Sequence, residues 1–229
     1  MNQSALALLC GFLLGTLVPP TVAQDHPHDP AKYPFTCAMP ISNRTQEAGC
    51  YLLATQNLSS LPSVPLFWHL YTYPTMESAP KGDAMNTVVE AHGKVWLFRI
   101  APADWKPSSG ERVAVIGPLV LPPAKEFIAR YMMDVAPPPP AGPGPTPVHR
   151  HPGTEAWYVV AGQQCMQTPG KTVTIRAGES AFVPGGVPMT LAIGGNETRR
   201  SLVLVLHDAS APWATKTDDW KPETECPGS

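Results

Sequence analysis

From Thr87 to Asp208 the chain is cut into short apolar runs: TVVEAHG, KVWLFRIA, RVAVIGPLVL, FIARYMMDVA, EAWYVVAG, KTVTIRAG, SAFVPGG, MTLAIGG and SLVLVLHD, mostly separated by Gly or Pro. Segments this short, rich in β-branched and aromatic residues, suit the strands of an antiparallel sandwich or barrel rather than packed helices. The 29 prolines press the same way, because proline lacks the N–H a helix interior needs. The expectation is an all-β domain over residues 87–208. Between the fourth and fifth runs lies APPPPAGPGPTP, whose composition favours a stiff, extended surface connection. It ends directly before His149, which makes it a candidate rim.

The flanks read differently. Residues 1–23 hold an apolar run, Ala5 to Val18, too short to span a bilayer and followed by small residues ending at Ala23. This pattern predicts a signal peptide cleaved after Ala23 and a secreted or periplasmic protein of about 206 residues, with no membrane segment after cleavage. Residues 24–86 are less regular and read as an N-terminal extension packed on the barrel. Within it YLLATQNLSS and PLFWHLYTYP are the best ordered stretches, and TMESAPKGDA is a short helix or turn. Trp68, Trp96 and Trp105 are assigned to the core. Residues 209–229 read as an irregular polar tail.

A net charge of −2 leaves no electrostatic footprint for a nucleic-acid partner. Four cysteines follow the leader: Cys37, Cys50, Cys165 and Cys226. Export makes disulfides reasonable, and four thiols allow three full pairings. Cys37 with Cys50 is the closest pair, Cys226 with either of them is the alternative, and Cys165 reads as a buried thiol.

The chemistry concentrates in VHRHPGTE, residues 148–155. On a strand His149 and His151 point to one side while Arg150 points to the other. Pro152-Gly153 turns the chain, and Glu155 begins the next strand on the phase shared with Trp157 and Val159. Two imidazoles and a carboxylate therefore converge from adjacent strands, a donor set that suits a divalent transition metal: Fe, Mn, Ni, Cu or Zn.

The order His149-x-His151, three residues, Glu155, six residues, Gly162 resembles the first motif of the cupin superfamily, and Gly178, Pro184 and Gly186 resemble its second. The resemblance covers roughly residues 112–208 and implies a cupin-type antiparallel jelly-roll barrel with metal ligands His149, His151 and Glu155. One position departs from the pattern. Met189 stands where metal-binding cupins usually place a third histidine, so the four-ligand set does not carry over, and a thioether is a soft, weak ligand.

His207 shares a strand phase with Val203 and Val205 and reads as a hydrogen-bonded strand-end residue; His69 and His92 read as structural. The cluster Gln24 to His28 reads as a flexible terminus. The leading expectation is an exported cupin holding a divalent metal and a small organic ligand, with oxygenase or isomerase chemistry. The rival is a metal-free ligand-binding or structural cupin, in which Glu155 pairs with a protonated histidine in an apolar pocket lined by Trp157 and Met189. The fold alone does not choose between them.

Overall fold

The computed structural model describes residues 36–59, 61–138, 141, 144–222 and 226. The leader, its cleavage site and the Gln24 to His28 cluster lie outside them. Among the described residues, fourteen strands follow two short 3-10 turns. They are β1 (Gly49–Leu58), β2 (Phe67–Tyr73), β3 (Thr87–Ala91), β4 (Lys94–Ala101), β5 (Glu111–Ile116), β6 (Phe127–Ala136) and β7 (His149–Arg150). The second half holds β8 (Thr154–Ala161), β9 (Gln163–Thr168), β10 (Lys171–Arg176), β11 (Ser180–Val183), β12 (Thr190–Gly194), β13 (Arg199–Asp208) and β14 (Thr215–Lys216).

The all-β expectation holds. The central sheet has the order β1-β6-β13-β8-β11, with every pair antiparallel. On one side lies a sheet of β3-β4-β2-β5; on the other lie β10-β9-β12 and the two-stranded ribbon β14-β7. An antiparallel bridge between His149 and Met189 links that ribbon to the start of β12. The ladders form separate sheets facing one another rather than one closed ring.

This layering explains the near-continuous apolar runs of β6 and β13. Both faces of the central sheet are covered, so both phases of each strand must be apolar. Along β13, Leu202, Leu204 and Leu206 join the core shared with β2 and β4, while Val203 and Val205 face the jelly-roll interior with Trp157, Met166 and Met189. Along β6, Tyr131 and Met133 take the first face and Met132 the second. Trp68 and Trp96 are buried in the first core as expected, whereas Trp105 is half-buried at a smaller cluster with Tyr71 and Leu97.

Several expectations need correction. The irregularity assigned to residues 24–86 holds only in part: β1 is an edge strand of the central sheet and β2 lies inside the outer one, so the apolar alternation in YLLATQNL and FWHLYTY is paired structure. TMESAPKGDA takes the turn, one of its two expected forms, and not the helix. Strand β9, QQCMQT, is not among the expected apolar runs, yet it sits between β10 and β12 with Gln164 and Gln167 buried.

Cys165 is not a free buried thiol, since it is bonded to Cys226. The pairing of Cys226 with Cys37 or Cys50 is thereby excluded, and these two are bonded to each other. The tail is likewise more than an irregular end. β14 pairs with β7, matching Thr215 to Arg150 and Lys216 to His149. No described helix is long and apolar enough to cross a membrane.

Candidate metal centre

The turn from β7 to β8 is set by a close backbone approach. A Cβ on Gly153 would lie 1.9 Å from the carbonyl oxygen of Leu206, so only glycine lets the chain pass β13 here. Gly186 N–H donates to the His151 carbonyl at 2.8 Å, and His149 and Met189 exchange both backbone hydrogen bonds, at 3.0 and 2.9 Å. Glu155 sits in the central sheet opposite Val205 and Val183. The ligand-bearing strands β7 and β8 are consecutive but not hydrogen bonded to one another: the histidines approach from the ribbon and the carboxylate from the facing sheet. The expected convergence is met across the sandwich rather than along one sheet.

The three residues are 3%, 3% and 5% exposed, and their candidate ligand atoms all lie within 4.8 Å of one another. The imidazoles stand perpendicular, with centroids 5.1 Å apart. Glu155 Oε2 is 2.7 Å from His151 Nε2 and 3.9 Å from His149 Nε2. His149 Nδ1 donates to the Pro147 carbonyl at 2.9 Å and His151 Nδ1 to the Trp213 carbonyl at 2.6 Å. A carbonyl only accepts, so Nδ1 carries the proton in each ring, and the neutral form of each offers Nε2 as a lone pair toward Glu155. Despite their proximity, neither His151 Nε2 nor Glu155 Oε2 has a well-angled hydrogen-bond partner. Two buried lone-pair atoms without such a partner, beside rings anchored through their other nitrogen, fit a two-imidazole, one-carboxylate metal site.

The protonation tendencies of the two rings diverge. Burial pushes His149 below the usual histidine range against the pull of Glu155. Burial acts on His151 in the same sense but is outweighed by the Glu155 charge, the contact with its carboxylate and the Trp213 carbonyl, so this ring is raised. Protonation of either competes with metal, because an imidazolium has no lone pair to give.

Trp157 and Met189 are both 1% exposed and lie in the interior cluster with Val203 and Val205. As the direct antiparallel partner of His149, Met189 projects from the same face beside it. His207 stays outside the ligand cluster; its Nδ1 donates to the Asp208 carbonyl, and burial lowers its pKa to about 4. His69 and His92 bond the carbonyls of Pro102 and Ser201, as structural histidines do.

Two neighbours of the site escaped the sequence reading. The Trp213 indole stacks on His151 at 5.5 Å and 28°, and the Arg130 guanidinium lies over the same indole at 5.3 Å. Arg130 could have been suspected from its phase, since it is two residues before Met132 on β6 and opposes Val205, the partner of Glu155. Nothing in the tail's composition pointed to Trp213.

With the geometry defined, residues 139–205 match the family model described as cupin domain, and this part of the chain is a cupin domain. No curated protein matches the sequence. Solved structures with local similarity include a conserved protein of unknown function from Streptococcus pyogenes, 16% identical over 34% of this chain and 64% of that one, with a TM-score of 0.31. A cupin-2 domain containing protein from Shewanella frigidimarina is 18% identical over 33% and 68%, at 0.28. The DMSP lyase DddQ from Ruegeria pomeroyi is 21% identical over 42% and 45%, at 0.32. The chain thus spans less than two thirds of the first and third of these proteins.

Proposed function

We propose that this is an exported cupin that holds one divalent transition metal through His149, His151 and Glu155 and presents it to a small organic ligand. The observation that carries the reading is the arrangement of the two rings, each tied by Nδ1 to a carbonyl and turned by Nε2 toward a buried carboxylate. A bound divalent metal supplies Lewis acidity or an oxygen-binding position, which suits isomerase or oxygenase chemistry. The chain's own residues fix the donors, exclude water through Trp157, Met189 and Trp213, and leave Glu155 able to accept a proton wherever it is not ligating. Three protein ligands leave positions open to ligand. The two disulfides and the absence of a membrane-crossing helix among the described residues are compatible with export.

A second reading has one observation in its favour. Glu155 lies 2.7 Å from His151, whose pKa is raised, an arrangement that favours a buried ion pair once that ring is protonated. In a metal-free binder this pair and the apolar wall of Trp157 and Met189 would do the recognition. Elemental analysis of protein purified without a histidine tag separates the two readings: one equivalent of metal, lost with EDTA, is expected. Retention of ligand binding by protein with no metal, unaffected by added Zn(II), Mn(II) or Fe(II), would favour the second.

A further inference from the structure

His149 and His151 are oriented by different parts of the chain. Pro147, whose carbonyl fixes His149, is two residues away on the same approach to β7. Trp213, whose carbonyl fixes His151, is 62 residues away and outside the matched cupin segment. Several contacts tie His151 to this distant segment. The Trp213 carbonyl accepts a hydrogen bond from His151 Nδ1–H, and the indole stacks on the same ring. The Arg130 guanidinium lies over that indole at 5.3 Å. The chain then runs on as β14 along β7, with a further bond from Thr217 N–H to the Val148 carbonyl, and its far end is fastened by Cys226 to Cys165 of β9.

An imidazole can present either nitrogen by changing tautomer or flipping its ring, and a carbonyl at Nδ1 removes that freedom. Arg150, between the two histidines, ties the same strap through its ion pair with Asp219. The Trp213 contacts, the β14–β7 pairing and the Arg150–Asp219 ion pair thus converge on β7 and the adjoining His151.

We infer that Trp213 is a positioning residue of the metal centre and that the C-terminal strap, 209–222, completes that centre by holding His151 with Nε2 toward Glu155. The inference rests on the metal-binding reading above. It makes metal affinity depend on a segment that the cupin domain itself does not include. Trp213→Ala keeps a backbone carbonyl but removes the ring that locates it, whereas Trp213→Phe keeps a flat ring at the same place.

The test uses the whole chain, with both disulfides formed in the parent and the Trp213 variants, and Co(II) alone as probe, read by chelator competition and by the Co(II) d–d absorption, at a temperature where each variant is folded. Loss of such a supporting group typically costs about 10- to 100-fold in metal affinity, so Trp213→Ala is expected to fall in that range with an altered d–d spectrum, and Trp213→Phe to stay within about threefold of the parent. Cys226→Ser, which frees the strap's far end without touching the site, is expected to fall between them. A residue that only stabilised the fold would lower the melting temperature in Trp213→Ala and leave Co(II) affinity and spectrum unchanged; that result overturns the inference while leaving the metal reading intact. Should Trp213→Ala not fold, Trp213→Leu replaces it, with the same expected loss of affinity and the same overturning result. A parent protein that takes up no Co(II) overturns the metal reading itself, and the inference with it.

Discussion

Replacing Met189 by histidine tests the centre at its most informative position. Met189 is 1% exposed among apolar side chains and is the antiparallel partner of His149, so an imidazole at 189 projects from the same face as the existing ligands. Without metal the change is unfavourable. A buried thioether side chain worth roughly 1.5–3 kcal/mol is lost, and a polar ring enters an apolar wall at a cost of about 1–3 kcal/mol if it finds no hydrogen bond. The smaller ring recovers part of the first term through its own burial, so a net loss of about 2–4 kcal/mol is reasonable. For a chain of this size that is roughly 4–16 °C in melting temperature. Metal offsets part of that loss, because a further imidazole ligand tightens binding to the folded state by about tenfold, about 1.4 kcal/mol. Met189→His is therefore expected to melt lower than the parent without metal, to gain more from added Zn(II) or Mn(II), and to show tighter binding in a chelator competition. Any native activity should fall, since the new ligand fills a position otherwise open. Equal metal-induced shifts and equal affinity in parent and variant would refute the placement of residue 189 beside the ligands.

Three further outcomes follow from the geometry. His149→Ala combined with His151→Ala should abolish stoichiometric metal, as measured by elemental analysis after gel filtration; wild-type content in the double variant would exclude these ligands. Cys226→Ser opens a loop of 61 residues and should cost about 4 kcal/mol of stability in the chain-entropy account, read by urea melts, while non-reducing peptide mapping of the parent should recover Cys165 with Cys226 and Cys37 with Cys50. His207 has a folded pKa of about 4, below its unfolded value, so the unfolded chain binds more protons between the two. Its contribution is present above about pH 6.5 and is lost as pH falls toward 4, by roughly 3 kcal/mol, and His207→Gln should flatten that part of the stability profile relative to the parent even though the raised His151 pulls the other way.

Much of the fold was legible because strand periodicity is local. Two-residue alternation and Gly or Pro punctuation marked nine runs, each of which contains a strand, and the two best ordered stretches of the extension hold β1 and β2. The chemistry of VHRHPGTE was legible for the same reason. Alternation puts His149 and His151 on one side and Pro152-Gly153 turns the chain, so the donor set can be written down without knowing where the strands go. Strand β9 was missed because its burial comes from neighbours on both sides and not from its own glutamine-rich composition. The pairing of Cys165 with Cys226 depends on a tail that returns to β9, and no spacing encodes that path.

What only the tertiary structure decided is the surroundings of the site. The sequence by itself determined an all-β chain with two imidazoles and a carboxylate in register, because those properties depend on residues a few positions apart. It could not say that the histidines and Glu155 meet across two facing sheets, that Met189 pairs with His149, or that Trp213 reaches back 62 residues to hold His151 beneath Arg130. Those contacts join segments far apart in the chain, and their partners are selected by the packing of layers, in which each polar group must find a donor or acceptor wherever the fold brings one within reach.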